Sequence, residues 1–168
     1  GGGGRGGRLA ASGAVAGVAR HNGRALHMDG ARLLNAVVAS GVPARDYAAP
    51  FDTVWIDLSK GLGCPVGAVL AGTQEIIEQA WQWKQRMGGA MRQAGIIAAA
   101  GIHALEHHVE RLAEDHANAR LFAERIAGLP GIAVDPATVE TNIVLFDVGG
   151  TGRAAGDIAE RLAGHGVR

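Results

Sequence analysis

The stretch TVWIDLSKGLG, residues 53–63, joins a β-strand pattern to an abrupt loop and decides the expected fold. Its β-branched and aromatic side chains at 53–58 predict a strand that stops at Ser59-Lys60-Gly61. Glycines at 61 and 63 allow backbone or a bulky ligand to come close. Ligands of layered α/β proteins collect where loops leave the carboxyl ends of strands, so Lys60 lies at an expected binding edge.

Helix and strand patterns alternate along the rest of the chain, which predicts an α/β layered architecture. A change from helical to strand periodicity near Pro130 indicates a domain boundary. We expect helices over 9–20, 31–39, 73–87, 90–127 and 153–163, and strands over 25–28, 53–58, 67–71, 132–134 and 143–146.

Charge and composition narrow the class of protein. The 168 residues contain 16 basic and 16 acidic side chains, so the net charge of zero favours neither nucleic acid nor an anionic membrane as partner. No apolar run approaches the ~20 residues of a membrane span, and the single Cys64 cannot form an internal disulfide. Gly1–Gly7 lack the features of a signal peptide and the chain does not begin with methionine. We therefore expect a cytoplasmic protein, of which this sequence is a part.

Lys60 is conspicuous because lysine is rare in this sequence. Only Lys60 and Lys84 occur, against fourteen arginines. A lysine after an apolar strand can form a covalent imine with a carbonyl group, whereas an arginine stays protonated. The alternative is a solvated lysine in a turn.

Asp29 and Arg32 follow an earlier strand pattern and are the other candidate site residues. Asp29 could face Lys60 across neighbouring strands, or could cap the helix expected from Ala31. Arg32 could bind a carboxylate, or could be an exposed helix residue.

Other motifs point away from metal and nucleotide chemistry. His103 and His107 share one helix face beside His108, but the glutamate of an H-E-x-x-H site is missing, so a solvated polar face is favoured and no metal is expected. The chain has no dinucleotide fingerprint, no phosphate loop and no G-x-S-x-G elbow.

Three motifs in order and spacing resemble the low-specificity L-threonine aldolases, and the similarity continues through 111–116 and 141–142. The motifs are His27-Met28-Asp29-Gly30-Ala31-Arg32, Ser59-Lys60-Gly61-Leu62-Gly63 with Pro65 and Gly67, and Gly88-Gly89-Ala90-Met91-Arg92-Gln93-Ala94-Gly95.

This resemblance implies a partial fold-type-I, aspartate-aminotransferase-like enzyme that uses pyridoxal 5'-phosphate. It makes residues 9–128 part of the cofactor-binding large domain and residues 129–168 the beginning of a small α+β C-terminal domain. It also implies a homotetramer in the full-length protein, with active sites at subunit interfaces. The glycine-rich composition of residues 1–8 separately predicts a disordered lead.

The site residues follow from the same resemblance. Lys60 would carry the cofactor covalently, Asp29 would pair with its ring nitrogen, and Arg32 would bind the substrate carboxylate or the ring hydroxyl. Arg92 would reach the phosphate, in its own or a neighbouring subunit, or would be an interface residue. The implied reaction is aldol cleavage of L-threonine or L-allo-threonine to glycine and an aldehyde. An aminotransferase, a β-eliminating lyase and a truncated, non-catalytic assembly module remain alternatives.

Overall fold

The computed structural model describes residues 9–167, so the glycine-rich lead expected at 1–8 lies outside the described residues. The described chain forms two compact units, residues 9–113 and residues 114–167. No helix of residues 9–167 is long and apolar enough to cross a membrane.

The first unit is a three-stranded sheet surrounded by helices. The strands lie in the order β1-β2-β3, with β1 parallel to β2 and β2 antiparallel to β3. The elements, in chain order, are α1 (Leu9–His21), β1 (His27–Asp29), α2 (Leu33–Ser40), α3 (Ala44–Ala48), β2 (Thr53–Asp57), β3 (Ala68–Gly72), α4 (Gln74–Arg86) and α5 (Ala94–His107). The short α3 has no counterpart among the predicted elements.

Two apolar clusters hold the sheet in place. Leu33 and Tyr47 bury one face of β2 at Val54, with Met28 of β1 packed against them. Beyond the end of β2, four buried residues form a second cluster, which includes Ala104 of α5: Leu58, Leu62, Cys64 and Ala104. The segment that follows β2 is therefore fixed by its own apolar side chains.

The second unit contains most of α6 (Leu112–Ile126), two 3-10 turns (Pro136–Thr138 and Gly149–Thr151) and α7 (Ala155–Gly164). The predicted strands at 132–134 and 143–146 are wrong, because the described backbone there forms an isolated antiparallel bridge between Ala133 and Asp147 and no strand. β-Branched composition alone does not make a strand without a ladder of partners.

The predicted single helix over 90–127 is also wrong. It is two helices, α5 and α6, separated at 108–111. His108 caps the C-terminus of α5, and its side chain bonds to the distant Leu62 carbonyl rather than to a neighbour in the sequence. This tertiary contact lies at the break, and no glycine or proline within 108–111 marks it.

Gly30 offers a test of how closely β1 and β2 approach at the site. Its N–H donates to the Trp55 carbonyl at 2.8 Å, and an added Cβ would lie 2.4 Å from that oxygen. We expect Gly30→Ala to lower the unfolding free energy by about 1–3 kcal/mol, because backbone must move to admit the methyl group.

The control is Gly17→Ala on the exposed face of α1, where an added Cβ meets nothing within 4 Å. It should raise stability by up to about 1 kcal/mol because alanine is the better helix former. Urea denaturation of both variants measures the difference, and equal stability of Gly30→Ala and the unsubstituted chain would contradict the close approach.

Candidate active site

Asp29 and Lys60 both lie next to Trp55 of β2. Asp29 pairs with Trp55 across the parallel strands, and the Lys60 Nζ lies 5.3 Å from the centroid of the Trp55 ring. Met28 packs into the core with Val54, so by alternation Asp29 and Trp55 lie on the opposite face of the sheet. A bond of 2.8 Å between His27 Nδ1 and Thr53 Oγ1 lies on that same face.

Lys60 is paired with Asp57, a residue that sequence reasoning missed. The Lys60 Nζ lies 2.5 Å from Asp57 Oδ2, and the other carboxylate oxygen accepts bonds of 2.6 Å from the Ser59 N–H and hydroxyl. The Asp57 side chain is only 8% exposed, whereas that of Lys60 is 38% exposed. Asp57 therefore anchors the lysine while leaving it within reach of a ligand.

These contacts fix the charge of Asp57. The hydrogen bond from Lys60, followed by those from Ser59, lowers the pKa of Asp57 to about 2 against the opposing effect of burial. Asp57 is consequently a carboxylate at neutral pH and too weak a base to remove a proton from a hydroxyl group. Its position three residues before Lys60, at the end of an apolar strand, is the signal that could have revealed it.

Asp29 makes a local bond as well. Its Oδ1 accepts a hydrogen bond from the Ala31 N–H at 3.0 Å. This bond resembles the helix cap that was the alternative role for Asp29, although α2 begins later, at Leu33. Asp29 remains exposed, so its carboxylate is accessible from solvent. The structure thus leaves Asp29 available for a ligand without assigning one.

Arg32 and Arg92 lie in different surroundings. Arg32 is exposed and lines a hollow of about 10 Å³ together with Gly30, Asp57 and Gly61. This volume is near that of one water molecule and is too small for a cofactor. Arg92 is exposed in the segment between α4 and α5 and does not line the hollow. The roles predicted for both arginines stay predictions.

The three histidines form a cluster at the end of α5. The His103 ring lies 4.5 Å from that of His107 and 5.3 Å from that of His108, measured between centroids. His108 directs Nδ1 at the Leu62 carbonyl instead of a shared point. Within residues 9–167, no group of three or more histidine, cysteine, aspartate or glutamate residues is arranged to hold a metal ion.

Solved structures share this arrangement of elements. An aromatic amino acid beta-eliminating lyase/threonine aldolase, proposed as such, from Exiguobacterium sp. matches with a TM-score of 0.75 at 30% identity, over 83% of this chain and 40% of its own. A proposed L-allo-threonine aldolase from Listeria monocytogenes matches with a TM-score of 0.74 at 28% identity, over 83% of this chain and 39% of its own.

Sequence relatives agree with the structures. The chain is 44% identical to low-specificity L-threonine aldolase 1 of Arabidopsis thaliana over 131 residues, which is 78% of this chain and 37% of the relative. It is 46% identical to the low specificity L-threonine aldolase of Escherichia coli (strain K12) over 136 residues, which is 81% of this chain and 40% of the relative. The chain thus spans about two fifths of the length of these relatives.

The fold is that of part of a fold-type-I, aspartate-aminotransferase-like enzyme. The predicted fold class is therefore confirmed. A family model described as beta-eliminating lyase matches residues 1–148, and the chain belongs to that family. The predicted resemblance to threonine aldolases and the assignment to the lyases are confirmed at the level of the family.

Replacing Asp57 should alter stability in a pH-dependent way. Because the folded-state pKa is about 2 and the ordinary value is 3.8, the stabilisation is present above pH 3.8 and is lost as the pH falls toward 2. We expect Asp57→Asn to cost at most about 2 kcal/mol at pH 7, since solvent screens the partly exposed Lys60. The cost should shrink progressively below pH 4.

Urea denaturation at pH 7 and at pH 3 measures this difference. Asp46→Asn is the matched control, because the Asp46 carboxylate is half exposed and lies 3.7 Å from Arg45. That variant should change stability by less than about 0.5 kcal/mol at either pH. A cost for Asp57→Asn that is equal at both pH values would contradict the importance of charge and would assign the effect to the lost hydrogen-bond acceptor, because asparagine keeps the shape of the side chain.

Proposed function

We propose that this chain carries the cofactor-binding lysine of a pyridoxal-phosphate-dependent aldolase that cleaves L-threonine or L-allo-threonine to glycine and acetaldehyde. The observation that carries the proposal is the position of Lys60, held by Asp57 beside Trp55 at the carboxyl end of β2. The names of the relatives and structural neighbours support this choice of substrate.

The side-chain chemistry of the residues present fits such a cofactor, whereas the hollow beside Arg32 does not hold one. An accessible amine at Lys60 could bond to its aldehyde, and the exposed Asp29 carboxylate at the neighbouring strand end could pair with its ring nitrogen. Arg32 would bind the substrate carboxylate or the ring hydroxyl, and Arg92 the phosphate. When bound, pyridoxal phosphate supplies a ring that accepts the electron pair released as the bond between Cα and Cβ breaks.

Asp57 has a separate part in this proposal. Its carboxylate holds the Lys60 amine at 2.5 Å and so determines where that amine lies. Proton removal from the substrate hydroxyl needs another group, because the pKa of Asp57 is lowered to about 2.

Assembly into a homotetramer in the cytoplasm is the setting that we propose for this site. Large apolar side chains are exposed on α4, on the segment that follows it and at the start of α5, which supports association with other copies: Trp81, Trp83, Met87, Met91 and Ile96. Arg92 lies within this surface and could serve the site of a neighbouring subunit.

The two lysines allow a direct test of cofactor attachment. Incubation with pyridoxal phosphate, reduction with borohydride and peptide mass spectrometry should find Lys60 modified at least about tenfold more than Lys84. Both amines lie over a tryptophan ring, at 5.3 and 5.5 Å, so Lys84 is a matched reference. A preference for Lys60 comes from reagent bound near it, so the modification should saturate with concentration.

Lys60→Arg keeps the positive charge and should abolish the saturable modification, because a guanidinium does not form an imine. Equal modification of Lys60 and Lys84 at every concentration would remove the assignment of Lys60 as the cofactor lysine.

Activity is best tested in a chimera, because the relatives that cleave threonine are longer than this chain. The matching 136-residue segment of the Escherichia coli relative would be replaced by that of this chain. We expect release of glycine and acetaldehyde from L-threonine, and a loss of roughly 10³-fold or more on Lys60→Arg. A purified chimera that folds and binds cofactor without releasing acetaldehyde would contradict the proposed reaction.

A second candidate is β-elimination, which the family description favours. The products distinguish the two reactions, because elimination yields a keto acid and ammonia, whereas aldol cleavage yields an aldehyde and glycine. Measuring all four products from L-threonine in the same chimera decides between them.

A further inference from the structure

The side chain of His108 reaches back across the fold to the loop that contains Lys60. Its Nδ1 lies 2.7 Å from the Leu62 carbonyl oxygen, although 46 residues separate the two in sequence. His108 is itself held at the end of α5, where its N–H donates to the Ala104 carbonyl at 2.8 Å. A helix end thus places a hydrogen-bond donor against the loop.

The contact is made at Leu62, in the same tight turn that contains Lys60. Leu62 is 3% exposed and packs with Ala104 of α5. The Gly63 N–H donates to the Lys60 carbonyl at 2.9 Å, which closes a tight turn over residues 60–63. Movement of the Leu62 peptide would therefore move the backbone of Lys60.

The partner of His108 also fixes its tautomer. A carbonyl oxygen only accepts, so the proton of the neutral ring must be on Nδ1. The protonated ring carries a hydrogen there too, so the bond persists in both charge states. His103 meets the His108 ring edge-on, at an interplanar angle of 87°.

We propose that His108 is a positioning residue that holds the Lys60–Gly63 turn, and with it the Lys60 amine, through the bond from Nδ1 to the Leu62 carbonyl. The inference rests on the proposed function of Lys60 for its catalytic meaning. Its contact with the turn can be tested without any cofactor.

Three substitutions separate hydrogen bonding from packing. His108→Leu keeps a bulky side chain but removes the donor. His108→Asn places its amide nitrogen at the same number of bonds from the backbone as Nδ1, and should restore the contact. His107→Leu is the matched control, because the exposed His107 ring also lies against His103 but its Nε2 faces the Glu106 carboxylate instead of the turn.

Amide hydrogen exchange, followed by NMR in the chain without cofactor, is the first measurement. His108→Leu should speed exchange of the Gly63 amide about tenfold, since the Leu62 carbonyl loses its partner. His108→Asn should stay within about twofold of the unsubstituted chain, and His107→Leu should have no effect. Exchange at Val54 in β2 reports whether each variant remains folded.

The second measurement is the ratio of Lys60 to Lys84 modification by pyridoxal phosphate and borohydride. His108→Leu should lower this ratio about fivefold, and His108→Asn should restore it. If the unsubstituted chain has no preference for Lys60, the proposed cofactor role fails, yet the exchange data still decide whether His108 holds the turn.

The nitrogen-15 NMR spectrum of the His108 ring shows which ring nitrogen carries the proton, and it needs no variant. It therefore tests the proposal even if His108→Leu does not fold. We expect the proton on Nδ1. A proton on Nε2 with a bare Nδ1, or Gly63 exchange that is unchanged in a folded His108→Leu chain, would overturn the proposal.

Discussion

A buried negative charge at the end of β2 is the constraint on which this region depends. Removing a carboxylate from water is costly unless it is hydrogen-bonded and paired, and Asp57 satisfies that requirement within three residues. The Ser59 N–H and hydroxyl bind one oxygen and Lys60 binds the other, so the chain must turn sharply as it leaves the strand. The charge that orders the turn also sets the position of the amine.

Close contacts around this turn explain why small residues occur where they do. Gly101 of α5 faces Leu58, and an added Cβ would lie 2.9 Å from the Leu58 Cδ1. The helix can therefore lie against the apolar residues that follow β2, and its last residues come within reach of Leu62. The Lys60 amine is held by the Asp57 carboxylate, and the turn that contains Lys60 is held by contacts of Leu62 with α5 and His108.

Local signals predicted the fold near the site, and tertiary contacts account for the errors. The strand at 53–57 and the helices at 9–21 and 74–86 were predictable because apolar periodicity and polar or glycine boundaries coincide. The break after α5 was not, since no glycine or proline marks it and the residue that ends the helix, His108, bonds to a residue 46 positions away. Asp57 was missed although its position three residues before Lys60 was a usable signal, because its burial and its bonds to Ser59 depend on the folded turn. The strand ends predicted that Lys60 and Asp29 lie near each other, and both neighbour Trp55. The roles of Lys60, Asp29, Arg32 and Arg92 stay predictions.

The sheet topology has a consequence for the order in which the chain assembles. Lys60 lies in the connection between antiparallel strands β2 and β3, residues 58–67, whereas β1 and β2 are joined by residues 30–52. The connection between β1 and β2 is roughly twice as long as that between β2 and β3, and each doubling of loop length adds about 0.6 kcal/mol to the entropic cost of loop closure. Pairing of β2 with β3 is thus the less costly first step during folding. The turn that contains Asp57 and Lys60 can therefore form before β1 brings Asp29 next to β2. The position of Lys60 depends on contacts that are local in sequence, whereas the position of Asp29 depends on the later pairing of β1.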